Sequence, residues 1–210
     1  MSIDSVLTRV FPGRRAQLKR EVLAAALTCF NRDGIEATTI DAIRSLCDTS
    51  VGAIYHHFGN KEGLVAALFF VAQDDYAQQM QDRLKRADTA QAGVRTIVES
   101  YVDWIVAEPD LARFQFQARS VVAKGPHAPE LSERNRQMNK VILGWFSPPE
   151  RKAALIHCPI DLLFSLVLGP AESYCRAWLS GRVKASPIQH KPALAVAAWG
   201  AIEALRSTAI

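Results

Sequence analysis

The side chains able to do covalent or metal chemistry are scattered along the 210 residues rather than clustered. Cys29, Cys47, Cys158 and Cys175 are widely spaced, form no C-x-x-C pair and fall in apolar-periodic segments. That is the pattern of buried free thiols, with redox sensing as the alternative. His56 and His57 are adjacent, so on a helix they would point about 100° apart and could not readily share a metal. No nucleophile–base pair stands at a recognisable spacing, and there is no phosphate-cradling glycine loop or metal-ligand cluster. We therefore expect no enzyme, no cofactor and no metal site. Hydroxyls, small residues, an aromatic tip and a cation do gather at Thr38, Thr39, Ser50, Gly52, Ala53, Tyr55, His56 and Lys61.

The elements that must position them read as helices throughout, since no alternation of apolar and polar residues is long enough for a sheet. A first helix is expected over roughly Arg14 to Asp33, with Leu18, Val22, Ala25, Ala26, Cys29 and Phe30 on one face and Gly34 as its stop. The Thr38-Thr39 hydroxyls can cap a short helix carrying Ile40, Ile43 and Cys47, broken by Asp48-Thr49-Ser50. Ser50 can cap a third, Val51 to about His57, anchored by Ile54 and Phe58 one turn apart. From Lys61 a long helix is expected to about Ala87. Others follow at about Thr89–Ala107, Pro109–Val122, Pro129–Phe146, Pro159–Leu179 and Pro187–Ser207, most opened by proline. Ala123–Ala128 and Ser147–Cys158 read as irregular.

Two short helices joined by a three- or four-residue turn, the second small and exposed, form the helix-turn-helix arrangement that places a helix in the DNA major groove. The residues are Thr38-Thr39-Ile40-Asp41-Ala42-Ile43, then Ser50-Val51-Gly52-Ala53-Ile54-Tyr55-His56-His57-Phe58, then Asn60-Lys61-Glu62-Gly63-Leu64. From about Arg14 to Phe70 this stretch closely resembles the head of the TetR family of transcriptional regulators. The resemblance implies that Tyr55, His56 and Lys61 contact phosphates, with Thr39 a further candidate; such contacts set register and affinity rather than sequence choice. Base readout would fall to Val51, Gly52 and Ala53, assisted by Arg44, the one side chain among them able to grip guanine with two hydrogen bonds. Gly52 and Ala53 lack bulk, so the backbone could approach the groove closely. Where the family usually has a small residue, a glycine and an apolar residue, this chain has Arg44, Asp48 and Thr49.

Composition is that of an ordinary globular protein, 49% apolar and 22% charged. The net charge of +4 suits a polyanionic partner. Up to Lys61 basic side chains barely outnumber acidic ones, so attraction must come from placement. Arg9, Arg14, Arg15, Lys19 and Arg20 form a basic arm that could reach the minor groove or phosphates, or be a solvated face. Met1 to Arg15 hold no apolar leader core, and no uncharged apolar run reaches the roughly 18 residues of a membrane span. A cytoplasmic protein without a membrane partner is expected.

The fold expected is all-α, with a three-helix DNA-binding domain over 14–70 and a helical ligand-sensing and dimerisation domain over 71–210, about nine helices in all. Leu168 to Gly181 resembles C-terminal helices of some family members, and the last helix carries Leu194, Ala197, Ala198, Ala201, Ile202 and Leu205. The resemblance implies a homodimer through the last two long helices, bound to an inverted-repeat operator and released by a small-molecule effector of unknown identity. Tyr101, Trp104, Phe114, Trp145, Tyr174 and Trp178 are candidates to line the effector pocket, with Phe116 and Phe164 further mid-body aromatics. Glu99, Asp103, Gln115, Gln117, His157 and Glu172 could supply its polar groups. Two rival readings are a helical apolar-ligand-binding protein or enzyme that does not act on DNA, and a helical adaptor.

Overall fold

The computed structural model describes residues 3–155 and 158–208, and His157 lies outside them. Among the described residues there are eleven α-helices and no strand. They are α1 (Ile3–Val10), α2 (Gln17–Asp33), α3 (Ile40–Arg44), α4 (Val51–Phe58), α5 (Lys61–Leu84), α6 (Ala90–Ala107), α7 (Pro109–Lys124), α8 (Ala128–Trp145), α9 (Pro149–Lys152), α10 (Ile160–Leu179) and α11 (Pro187–Thr208). Single 3-10 turns at Arg14–Ala16 and Ala153–Leu155 precede α2 and follow α9.

Contacts group the chain into two units. The first holds the residues up to Asp75 and Glu108–Asn135; the second holds Tyr76–Ala107 and the chain from Arg136 onward. The core of the first forms because α2 buries Val22, Leu23, Ala26, Cys29 and Phe30 on one face, and Phe30 stacks on Phe114 of α7 with ring centroids 5.4 Å apart. Gly34, at φ 83°, ends α2 by donating its N–H to the Phe30 carbonyl, a conformation glycine adopts without a Cβ penalty. In the second unit α6, α10 and α11 pack on one another through Val94, Ile97, Val98, Ala171, Cys175, Ala195, Ala198 and Ile202. Burial pushes the Cys175 thiol up to about 12, which suits a packing residue rather than a reactive one.

Three local expectations are corrected. The amino-terminal segment is not a free basic arm: it contains α1, whose Val6 and Leu7 are fully buried. Arg9 pairs with Asp75 at 2.8 Å, Arg20 donates to the carbonyls of Phe11 and Gly13, and the Lys19 ammonium lies 4.0 Å from the Phe11 ring centre. Only Arg14 and Arg15 of that set stand exposed without such a contact described. Second, α3 stops at Arg44, because the Leu46 and Cys47 N–H groups reach back only three residues, to Ile43 and Arg44. The connection to α4 is therefore longer than the three or four residues of the simplest turn. Third, part of the stretch read as irregular after Ser147 is helical, as α9 and its 3-10 continuation. No helix among the described residues is long and apolar enough to cross a membrane.

Candidate nucleic-acid interface

Helix α4 is short, and its ends are fixed by its own sequence. The Ser50 hydroxyl accepts the Ala53 N–H at 3.1 Å, supplying one of the partners that the first turn lacks. At the other end Gly59, at φ 76°, donates to the Tyr55 carbonyl. Ile54 and Phe58 are the two residues of α4 that point inward, at 1% and 9% exposure. Gly52, Tyr55, His56 and His57 are exposed, and Val51 and Ala53 half-buried. The helix thus turns a face of small residues, one phenol and two imidazoles outward. The imidazoles of His56 and His57 meet edge to face with centroids 5.4 Å apart. No group of three or more potential metal ligands exists among the described residues.

The neighbouring elements hold α4 in place. Thr39 caps α3 by accepting the Ala42 N–H at 3.1 Å, while the buried Thr38 hydroxyl donates to the Gly34 carbonyl at 2.7 Å. The Lys61 ammonium donates to the carbonyls of Glu36 and Thr38, at 2.9 and 3.1 Å. An ammonium has three donors, so one is left for a further acceptor. Asn60 caps α5 by accepting the Gly63 N–H at 2.7 Å. Any Cβ at Gly63 would collide with the Phe58 carbonyl, so the α4–α5 corner closes only around a glycine. Arg44 is exposed at the end of α3, its guanidinium a loose 3.9 Å from the Asp41 carboxylate. All eight residues expected to meet DNA therefore lie on, or cap, the α3–α4–α5 corner. The Lys61 staple on two carbonyls was not read from sequence.

The residues expected to line an effector pocket do not form one group. Phe114, with Phe116, Gln115 and Gln117, belongs to the first unit, and Phe114 is spent on the stack with Phe30. In the second unit Tyr101 and Trp104, three residues apart on α6, both meet Tyr76, with centroids 5.7 and 6.0 Å away. Burial raises the Tyr76 and Tyr101 phenols above their usual value, so both stay neutral donors. Tyr76 was missed; its signal was the shared α6 face of Tyr101 and Trp104, which called for an aromatic partner. Trp145 lies against the Gly93 backbone and under the Arg151 guanidinium at 4.2 Å. Tyr174 donates its hydroxyl to the Ala185 carbonyl and meets His190 edge to face; Trp178 and Phe164 are half-buried. Of the polar candidates, Glu99 pairs with Arg95, Glu172 with Arg176, and Asp103 with both Arg83 and Lys191. Burial would raise the Asp103 carboxyl, but the hydrogen bonds from Lys191 and Arg83 outweigh it and hold it below the usual carboxylate range.

Known proteins resemble the chain in two ways. Residues 22–68 match the family described as bacterial regulatory proteins, tetR family. Over 60 residues, 29% of this chain and 30% of the relative, it is 40% identical to the HTH-type transcriptional repressor AcnR of Corynebacterium glutamicum. Over 91 residues, 43% of this chain and 45% of the relative, it is 31% identical to the HTH-type transcriptional regulator BetI of Burkholderia thailandensis. The aligned stretches thus span less than half of these relatives' length. The fold extends further: the fatty acid degradation regulator FadR of Bacillus halodurans superposes with a TM-score of 0.71 at 14% identity, covering 87% of this chain and 98% of that one. FadR of Bacillus subtilis, in complex with stearoyl-CoA, gives 0.65 at 14% identity, over 86% and 97%. The segment that builds the α2–α4 head, including the capped and outward-facing α4, is thus the part of the chain that is similar to the tetR family of bacterial regulatory proteins.

Proposed function

We propose that this chain is a DNA-binding transcriptional repressor that leaves an inverted-repeat operator when its helical body takes up a small molecule. The observation that carries the reading is α4: capped by Ser50, held from behind by Ile54 and Phe58, and presenting Gly52, Tyr55, His56 and His57 outward. A helix so mounted can enter the major groove as a rigid body. Tyr55, His56, Thr39 and the remaining Lys61 donor serve phosphates; Val51, Gly52, Ala53 and Arg44 read base edges. In this reading residues 14–70 are the DNA-binding domain, and 71–210 sense the effector and dimerise.

A homodimer supplies the two heads that an inverted repeat needs, and exposed apolar and small residues along α11 support it: Ile188, Ala193, Val196, Ala197 and Gly200 all face outward. The effector reading centres on Tyr101 and Trp104 with Tyr76, an aromatic set suited to an apolar ligand, with Trp145, Tyr174 and Trp178 as further candidates on the second unit. The complex of the B. subtilis relative with stearoyl-CoA shows that a protein of this fold can hold an acyl chain. A ligand preferring one arrangement of the body lowers operator affinity by that preference alone.

The test is a salt titration of binding to a labelled duplex from the DNA upstream of the chain's own gene. Affinity should fall steeply with salt, since each phosphate contact releases counterions. No retention at low salt would favour an apolar-ligand-binding protein that does not act on DNA.

A further inference from the structure

The chain leaves the first unit at Asp75 and re-enters it at Glu108, and the carboxyl groups of both residues are buried, at 4% and 3% exposure. A cation on α1 faces them. The Arg9 guanidinium, on α1, donates from Nε to Asp75 Oδ1 at 2.8 Å and lies within electrostatic reach of Glu108. Glu108 Oε1 is buried without a hydrogen-bond partner among the described residues. Buried carboxyls are costly unless a charge or a donor answers them, so withdrawing Arg9 removes a compensating charge from both. The rest of α1 supports the same attachment. Val6 and Leu7 are fully buried, Leu7 accepts the Phe11 N–H, and Arg20 of α2 grips the carbonyls of Phe11 and Gly13 where α1 ends.

We propose that α1 is a clasp and Arg9 a positioning residue: it fixes two of the three points, Asp75 on α5 and Glu108 before α7, at which the chain crosses between the units. Arg9 is thereby withdrawn from DNA, although it sits in a basic amino-terminal segment beside a DNA-binding head. The role rests on the regulator reading only for its effect on DNA; the clasp itself is a property of the free protein.

Hydrogen exchange on the full chain tests the clasp directly, with Arg9→Leu, Asp75→Asn and the double variant. The expected result is exchange at least tenfold faster at the amides of residues 73–78 and 112–114, with α4 amides at wild-type rates. The double variant should be no faster than the worse single variant, because one interaction is lost in all three. Acceleration confined to residues 3–13, or additive effects in the double variant, would overturn the proposal. Binding to the upstream duplex supplies a second reading. Arg9→Leu should weaken it severalfold with the salt dependence unchanged, whereas a slope shallower by about 0.9 would make Arg9 a phosphate contact and overturn the clasp. If the wild-type protein itself is not retained, the regulator reading fails while the exchange pattern still decides the clasp.

Discussion

A Cβ placed on Gly52 would meet no neighbour nearer than the Ser50 hydroxyl, 3.8 Å away. Nothing inside the chain requires a glycine there. An alanine in an exposed helix interior is favoured over glycine by about 1 kcal/mol, so Gly52→Ala should stabilise the head by up to that amount. If the bare backbone is there to let α4 approach DNA, the same change should weaken duplex binding at least about tenfold, roughly 1.4 kcal/mol. Thermal unfolding and anisotropy titrations on one preparation check both signs. A variant more stable and equally tight would remove the groove-approach role of Gly52.

Arg44 and Tyr55 should fail in different ways. Among the described residues the Arg44 guanidinium is held only by a distant Asp41, which leaves it available to a base edge. Arg44→Ala should flatten preference at one position of each half-site, by about 1–3 kcal/mol. Tyr55, 47% exposed, should act on phosphate. Tyr55→Phe should weaken every sequence alike, by about 1 kcal/mol. Competition against a panel of single-base operator variants separates the two; a sequence-selective effect of Tyr55→Phe would reverse the assignment.

What the sequence made legible was local. Ser50, Ile54, Phe58 and Gly59 fix the start, the inner face and the end of α4 within ten residues, and each acts through a backbone rule that needs no distant partner. Helix α1 was illegible for the opposite reason. Its anchor at Asp75 lies far along the chain, so Arg9 read as part of a basic arm facing DNA or solvent. The stack of Phe114 on Phe30 was illegible in the same manner, since its partner comes from α2. The aromatic pair Tyr101 and Trp104 stood out by spacing, but Tyr76 completes it from another helix. The early stop of α3 followed from three-residue hydrogen bonds at Leu46 and Cys47 that side-chain pattern does not encode.

Asp103 ties α5 and α11 to α6 through Arg83 at 2.6 Å and Lys191 at 2.7 Å. Its carboxyl is held below its usual value, so it contributes stability above the ordinary carboxylate pKa of about 3.9 and loses it as pH falls through that value toward the folded one. Asp103→Asn should therefore cost about 1–2 kcal/mol at pH 7, since the triad is partly solvated. The difference from wild type should shrink as pH drops below 4. Denaturant midpoints at the two pH values check this, and an equal loss at both would show that charge is not the cause.

Glu108 carries the opposite sign. Burial pushes its carboxyl up, so the folded protein holds that proton more tightly than the unfolded chain does. Its contribution is most favourable below the unfolded value of about 4.3 and declines as pH rises through the folded one. Glu108→Gln should then raise stability at pH 7 relative to pH 4, measured against wild type. A relative loss at pH 7 would mean that the ionised form is the one the site is built for.

Val196 is 72% exposed in the middle of α11, beside a cleft of about 350 Å³ walled by Arg95, Pro192, Ala195 and Trp199. An apolar side chain so exposed contributes little to the fold of a single chain, so Val196→Glu should leave unfolding of the monomer within about 0.5 kcal/mol. If α11 is the dimer contact, the new carboxylates would meet across the two-fold axis with like charge in a desolvated patch. Sedimentation should then show the dissociation constant for self-association raised at least about a hundredfold, roughly 2.7 kcal/mol. Operator binding should fall with it, because each half-site would have to be filled independently. A variant that remains dimeric at the concentrations where wild type does would place the dimer contact elsewhere than on this face of α11.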